Sequence, residues 1–137
     1  MKGFYAKNGE QSVNKLSVRY SEQELIKEAF SFYEKGNYGK AKEILSSAIN
    51  ADKNNSFAIG FLAIVEKASG NLSNASRLFL KSLSIDPDQP DLLHNFSSIL
   101  FTTDPEEAIR LSSKAVELSP DNSSYLARNG YFRLMIG

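Results

Sequence analysis

The sequence predicts an all-α protein, a solenoid of about three and a half helical hairpins with seven helices in total. Small residues recur along the chain with a period of 34 residues, and turn signals fall in the middle and at the end of each period. Between these turns the apolar residues follow helical spacing, as in Leu25, Ala29 and Phe32. A fixed period of this length is typical of stacked helix pairs, each too small to bury its apolar face alone.

Three series of small residues share the period. They stand at Ala29, Ala63, Ser97 and Gly130, at Ala41, Ala75 and Ala108, and at Ala48, Ser82 and Ala115. In each series the interval that spans residues 101–104 is 33 residues long and not 34. A single deletion in this turn therefore explains all three series. Because small side chains let two helix axes cross closely, we expect these positions to mark the contacts between paired helices.

Turn signals divide the chain into units. Gly36 and Gly70, each followed by asparagine, mark the turn inside the first and second units, and proline or a polar cluster ends each second helix. We predict a basic, partly flexible N-terminal segment over residues 1–21 and a repeat domain over residues 22–137. The repeats are predicted at residues 22–55, 56–89 and 90–122, with a half repeat at residues 123–137.

The period, the Gly-Asn turns and the Asp-Pro pair before the next unit together resemble the pattern of the tetratricopeptide repeat (TPR). The resemblance covers residues 22–137 and implies a right-handed α-solenoid whose first helices line a concave groove. It also implies a protein-interaction module or scaffold without catalytic machinery. The sequence departs from the pattern at Ser112, where a bulky aromatic is typical, and at four positions where a larger apolar residue is usual: Glu28, Glu66, Asn129 and Arg133.

The resemblance places the groove on the first helix of each repeat. Carried over by register, the peptide-binding residues are mainly aromatic or aliphatic, with a few polar side chains: Phe30, Tyr33, Phe57, Phe61, Ile64, Lys67, His94, Asn95, Phe101, Arg128 and Tyr131. The rings would anchor an apolar peptide or helix, and the polar side chains would fix its orientation. Alternatively, part of this lining belongs to the core between repeats. Apolar residues occupy most places where related domains clamp a terminal carboxylate, so no such clamp is expected, although Asn95 and Arg128 are present.

The last helix, predicted over Ser124–Ile136, is rich in apolar residues, and no second helix follows it in the sequence. Because an uncapped repeat exposes the face that its neighbour would bury, one of two expectations is a homodimer through Phe132, Met135 and Ile136. The same patch is also expected if the chain is the front part of a longer protein. Two alternative functions follow: the N-terminal repeat region of a larger enzyme, such as a transferase, or a self-assembling structural unit.

The N-terminal segment differs in charge from the rest of the chain. It carries four basic residues against Glu10 alone, whereas the whole chain balances 16 basic and 16 acidic residues. Such a segment is expected to be solvated. Apolar residues such as Phe4 and Tyr5 give it a second possible role, in which part of it folds back on the first repeat or into the groove.

No catalytic, metal or cofactor site is predicted. The chain has no cysteine and a single histidine, His94, so thiolate chemistry and a histidine-based metal site both lack the residues they need. The glycines form no phosphate-binding loop, and the basic residues lack the aromatic interleaving typical of nucleic-acid binding. We therefore expect a protein or peptide partner, with no small-molecule substrate, nucleic acid or membrane. With no signal-peptide core in the sequence, a cytoplasmic location is expected.

Overall fold

Seven helices joined by short turns make up the part of the chain that the structure describes. The structure is a computed structural model, and it describes residues 22–136. The helices are α1 at residues 22–34, α2 at Tyr38–Ala51, α3 at Ser56–Ala68, α4 at Leu72–Ile85, α5 at Pro90–Leu100, α6 at Pro105–Leu118 and α7 at Ser123–Ile136. These residues contain no β-strand, so the predicted all-α repeat architecture is confirmed.

The first two hairpins each turn on a glycine with a positive φ. Gly36 has φ 78° and Gly70 has φ 88°, a left-handed conformation that glycine adopts at little steric cost. The N–H of Asn37 donates to the Phe32 carbonyl at 2.8 Å, and the Asn37 side chain accepts from the Lys40 N–H to cap α2. The residues that the sequence marks as a turn therefore end one helix and begin the next.

The small residues lie where paired helices cross. Nine of the ten small residues in the three series are at most 1% exposed: Ala29, Ala63, Ser97, Ala41, Ala75, Ala108, Ala48, Ser82 and Ala115. The prediction is thus confirmed for the three complete hairpins. Gly130 is the exception, because it is exposed and a Cβ added there would meet no heavy atom within 4 Å. No second helix packs on this side of α7 within the described residues.

The core consists of two apolar clusters. One joins α1, α2 and α3 around Leu45 and Phe61. The other runs from α3 to α7 around Phe79 and Phe96, whose rings stack at 5.4 Å. Leu62 packs against both clusters, so apolar contacts continue from the first hairpin to α7. This continuous core holds the first helices of successive hairpins side by side.

Two of the departures from the repeat pattern, Glu66 and Ser112, are buried. Glu66 on α3 is 6% exposed, and its carboxylate lies 3.1 Å from Lys42 Nζ on α2 and accepts a hydrogen bond of 2.8 Å from Asn74 Nδ2 on α4. A polar network therefore joins three helices where an apolar side chain would rely on packing alone. The Oγ of Ser112 is buried and has no hydrogen-bond partner among the described residues; nothing in the structure explains it.

Some predictions concern residues that the structure does not describe. The basic N-terminal segment, residues 1–21, and its return onto the first repeat lie outside the described residues, as does Gly137. Within residues 22–136, the helices are too short or too polar for any of them to cross a membrane.

Candidate binding face

Side chains of α1, α3, α5 and α7 meet in chain order and form one surface, which we call the first-helix face. Three contacts join its neighbouring helices: Phe30 to Phe61, Lys67 to Asn95, and Phe101 to Phe132. The second helices of the hairpins pack behind it, as α4 does on α3 and α6 on α5. This is the surface to which the repeat register assigns the predicted peptide-binding residues.

An aromatic pocket of about 290 Å³ opens on this face between α1, α3 and α5. It is lined by Phe30, Tyr33, Phe57, Phe61, Ile64, Asp91, Leu92 and Asn95. Phe61 forms its floor and is 8% exposed, whereas Phe30 and Phe57 at the rim are 49% and 58% exposed. Exposed rings over a buried ring provide apolar area that a ligand would remove from water.

The rings of the aromatic pocket support one another. Tyr33 meets Phe61 edge to face at 5.7 Å, and Phe57 meets Phe61 in the same way at 6.5 Å. Phe30 lies 6.1 Å from the Phe61 centroid. Offset and edge-to-face pairs of this kind are favourable beyond the area they bury, so the pocket is held in shape before any ligand arrives.

A second, polar pocket of about 630 Å³ lies further along the face, between α5 and α7. Its lining combines three phenylalanine and tyrosine rings with histidine, serine, alanine and arginine side chains: His94, Ser98, Phe101, Ser124, Ala127, Arg128, Tyr131 and Phe132. The Arg128 guanidinium donates to the His94 carbonyl at 3.4 Å, which holds the side chain of α7 against α5. Tyr131 is 56% exposed and lies 6.2 Å from Phe101.

The face carries positive charge between and beside the two pockets. Lys67 Nζ donates to Asn95 Oδ1 at 3.1 Å, and neither Lys67 nor Arg128 forms a salt bridge within residues 22–136. Burial, together with the charge of Arg128, lowers the pKa of Lys67, and burial lowers the pKa of Arg128. Both shifts have burial as their main cause, so the two cations are partly removed from water while neither has a salt-bridge partner in the described part of the chain.

His94 is neutral in this setting. Burial lowers its pKa to about 4, and the charges of Arg128 and Lys67 act in the same direction, while Asp91 opposes them. The imidazole packs on the Tyr125 ring at 4.7 Å, and its Nδ1 is buried without a hydrogen-bond partner among the described residues. His94 therefore adds a polar but uncharged surface to the polar pocket near neutral pH.

Asp91 is held by α7 and does not neutralise the cations. Its carboxylate accepts a hydrogen bond from the Tyr125 hydroxyl. Burial and this carboxylate together raise the pKa of Tyr125 above its usual value. The contact ties α7 to α5 at the edge of the first-helix face.

The structure distributes the predicted binding residues over both pockets. Six lie in the aromatic pocket and four in the polar pocket, while Lys67 lies between the pockets and contacts Asn95. Asp91, Leu92 and Ser124 line the pockets although the sequence reasoning did not name them. Asp91 and Ser124 each lie four residues before a predicted binding residue, Asn95 and Arg128, so helical spacing could have identified both.

The residues predicted for self-association have different surroundings. Phe132 is 4% exposed and stacks on Phe101 at 4.2 Å, so it is part of the packing between α5 and α7. This corrects the expectation that Phe132 contributes to an open apolar surface, because the Phe101 ring covers it. Met135 and Ile136 are exposed at the end of α7.

The described residues contain no group of three or more histidine, cysteine or acidic side chains placed to hold a metal ion. The titratable groups of the first-helix face are tied to their neighbours, as Asp91 is to Tyr125 and Lys67 to Asn95. What the face offers is ring surface and positive charge, which are the means of noncovalent recognition.

The sequence matches no protein-family model and no curated protein, but solved structures match it. The first TPR of Spaghetti (RPAP3) bound to an HSP90 peptide aligns with 85% of this chain and 94% of its own, with TM-score 0.78 and 14% identity. The Yersinia enterocolitica chaperone SycD in complex with a YopD peptide aligns with 84% and 94%, with TM-score 0.72 and 18% identity. The Thermobaculum terrenum O-GlcNAc transferase aligns with 84% of this chain and 22% of its own, with TM-score 0.79 and 19% identity.

At these identities the likeness establishes the fold. Several other matching chains are TPR domains as well. The 34-residue period, the glycine turns and the small residues at each helix crossing agree with them. The described part of this chain, residues 22–136, has the tetratricopeptide-repeat fold.

Proposed function

We propose that this chain is a protein-interaction module whose first-helix face binds an apolar peptide segment or helix of another protein. The observation that carries the proposal is the aromatic pocket, in which the exposed rings of Phe30 and Phe57 stand over the buried ring of Phe61. Aromatic anchors in a preformed pocket are the usual centres of binding energy in protein recognition.

The charges of the face suggest how the bound segment is oriented. Lys67 lies between the two pockets and Arg128 lines the polar pocket, and neither forms a salt bridge among the described residues. A ligand that places an apolar side chain in the aromatic pocket and an acidic side chain near Lys67 would satisfy both regions. We therefore propose a segment with an apolar anchor and a neighbouring carboxylate.

The structural neighbours support this mode of binding. The Spaghetti domain was solved with a bound HSP90 peptide, and SycD was solved with a bound YopD peptide. The terminal-carboxylate clamp of some related domains does not fit this chain well, because phenylalanine, tyrosine and isoleucine side chains fill the aromatic pocket. Side-chain anchoring is the mode that the present lining favours.

A selection from random displayed peptides, using the full 137-residue chain as bait, tests the proposal. We expect the enriched peptides to share an aromatic or large aliphatic residue. We expect Phe57→Ala to weaken their binding, measured by titration calorimetry, by about tenfold or more, which corresponds to about 1.4 kcal/mol. Phe57 is a rim residue, so its truncation removes a contact surface without opening a cavity in the core.

The matched control is Leu80→Ala on α4, which removes an exposed apolar side chain away from the first-helix face. This variant should bind the selected peptides as well as the parent chain does. If Phe57→Ala and Leu80→Ala behave alike, or if the enriched peptides lack an apolar residue, the proposed site is wrong.

A second candidate function is a repeat region within a larger enzyme. The observation that favours it is the alignment of this fold with 22% of the O-GlcNAc transferase chain. In such a protein the first-helix face would bind the polypeptide on which a separate domain acts. Determining the reading frame after residue 137 tests this directly, because a stop codon there contradicts an attached catalytic domain.

A further inference from the structure

An apolar stripe runs along the side of α7 that none of the described helices α1–α6 covers. It consists of Leu126, Gly130 and Leu134, spaced four residues apart, and we call it the α7 stripe. Leu126 is 48% exposed and Leu134 is 82% exposed. A Cβ at Gly130 would meet no heavy atom within 4 Å, so the centre of the stripe is open to close approach by a neighbour.

The other hairpins show what covers such a stripe. By repeat register, Leu126 and Gly130 correspond to Ile59 and Ala63 on α3. Those two residues are 1% and 0% exposed because α4 packs across them, with Ala75 in the same cluster. In this fold, therefore, the covering element is a helix that crosses at a small residue.

We propose that the α7 stripe packs antiparallel against the α7 stripe of a second copy of this chain. The stripe reads the same in both directions from Gly130, with one leucine four residues before it and one four residues after it. In an antiparallel pair related by a two-fold axis at Gly130, Leu126 of each copy lies opposite Leu134 of the other. A self-complementary patch of this kind is what an isologous dimer requires.

The flanking residues fit the same arrangement. Ala127 lies three residues before Gly130, and Arg133 lies three residues after it. The antiparallel pairing therefore places the small Ala127 side chain of one copy opposite the long Arg133 side chain of the other. Arg133 is held by hydrogen bonds of 3.0 Å to Asn129 and 2.9 Å to Ser113. These bonds direct the guanidinium towards α6, beside the stripe, and leave room for the crossing.

The centre of the α7 stripe lies away from the first-helix face. Arg128 and Tyr131 line the polar pocket and lie on a different side of α7 from Gly130. Ala127 borders both surfaces, because it lines the polar pocket and flanks the stripe. A dimer through the stripe therefore leaves the aromatic pocket open. Such a dimer would present two first-helix faces to one partner. The dimer proposal does not depend on the proposed peptide site.

Sedimentation equilibrium of the full 137-residue chain over a range of concentrations tests the proposal. We expect reversible dimers, and we expect Leu134→Glu to weaken dimerisation by about tenfold or more. The substituted residue is mostly solvated in the monomer, so the helix remains folded, as circular dichroism would show. Leu80→Glu on α4 is the matched control, since Leu80 is 61% exposed; it should dimerise as the parent does.

Two further variants test the register. A Cβ at Gly130 would meet no heavy atom within 4 Å, so loss of dimerisation in a Gly130→Leu chain that circular dichroism shows to be folded indicates close approach at this residue. The double substitution Leu126→Glu with Leu134→Lys places opposite charges across the two-fold axis. We expect it to dimerise more strongly than either single substitution.

Three results would overturn the proposal. They are a chain that stays monomeric up to about 100 μM, where weak small interfaces still associate, dimers that Leu134→Glu leaves unchanged, and a double variant no better than the single ones. The first result would leave a helix of a different protein as the occupant of the α7 stripe.

Discussion

The ammonium nitrogen of Lys67 on α3 lies 3.1 Å from the side-chain oxygen of Asn95 on α5. Because Asn95 also lines the aromatic pocket, this bond holds a positive charge directly beside the rings. Burial lowers the pKa of Lys67, and the nearby charge of Arg128 lowers it further. The first-helix face thus combines an apolar pocket with a site that attracts carboxylates.

The first prediction concerns this charge. Lys67→Met should lower the affinity for selected peptides that carry an acidic residue beside the anchor, by about 1 kcal/mol, since the site is only partly buried. Peptides in which that residue is replaced by its amide should bind the parent and the variant alike. Titration calorimetry at low and high salt measures both effects, and the difference between the two peptides should shrink as salt increases.

Lys81→Met provides the control, because it removes a lysine charge from α4 and preserves the first-helix face. An equal loss of affinity in both variants would show that overall charge matters, and that Lys67 has no special position.

The second prediction concerns the buried ion pair between Lys42 and Glu66. Burial alone would raise the pKa of the Glu66 carboxyl, but hydrogen bonds from Asn74 and Lys42 outweigh it and leave the pKa below its usual value. Lys42→Met leaves this buried carboxylate without its cation. We expect a loss of about 2 kcal/mol in the free energy of unfolding, less than for a fully buried pair because Lys42 is partly exposed.

The double substitution Lys42→Met with Glu66→Leu completes the experiment. It removes the unpaired carboxylate and restores the apolar residue that the repeat pattern favours. Urea unfolding should place it within about 1 kcal/mol of the parent chain. A double variant as unstable as Lys42→Met would show that the polar network itself stabilises the fold.

The third prediction concerns the small residues at the helix crossings. Ala63 is fully buried within the core shared by α3 and α4, so Ala63→Leu should cost about 3 kcal/mol through overpacking. Gly130 occupies the same register on α7 but is open. Gly130→Ala should therefore stabilise the dilute monomer by up to about 1 kcal/mol, since alanine is the better helix former. Thermal unfolding of the two variants in parallel measures this difference. An equal loss of stability in both variants would contradict the prediction, because it would mean that the position in the repeat sets the cost whether or not a helix covers it.

The fold followed from the sequence because its signals repeat. A single alanine such as Ala29 says little, but small residues at matching places in three series require paired helices that cross there. Gly36 and Gly70 fixed the turns because their positive φ suits glycine. The sequence could not show that Gly130 stays open, because exposure depends on whether a helix packs across it.

The binding face was predictable to the level of helix faces and no further. Register places Phe30 and Phe61 on first helices, but the division into two pockets depends on how each side chain meets the next helix. Phe132 shows the limit: it reads as an exposed residue of the terminal helix, yet it is buried because Phe101 stacks on it. Likewise, the pairing of Glu66 with Lys42 spans two helices and has no spacing signature.

The last prediction concerns the pH dependence of stability. The pKa of His94 is about 4 in the folded protein and 6.5 when the residue is free, because burial and the charges of Arg128 and Lys67 disfavour the imidazolium. Between these two values the unfolded chain binds a proton that the folded protein does not bind, so lowering the pH favours unfolding. His94→Gln removes this titration, and urea unfolding at pH 7.5 and pH 5.5 should show that the parent chain loses more stability than the variant. The acidic residues are common to both proteins and cancel in the comparison. An equal loss in both would mean that His94 is protonated in the folded state near its ordinary pKa, and that the pocket between α5 and α7 is wetter than the packing of Tyr125 against the imidazole indicates.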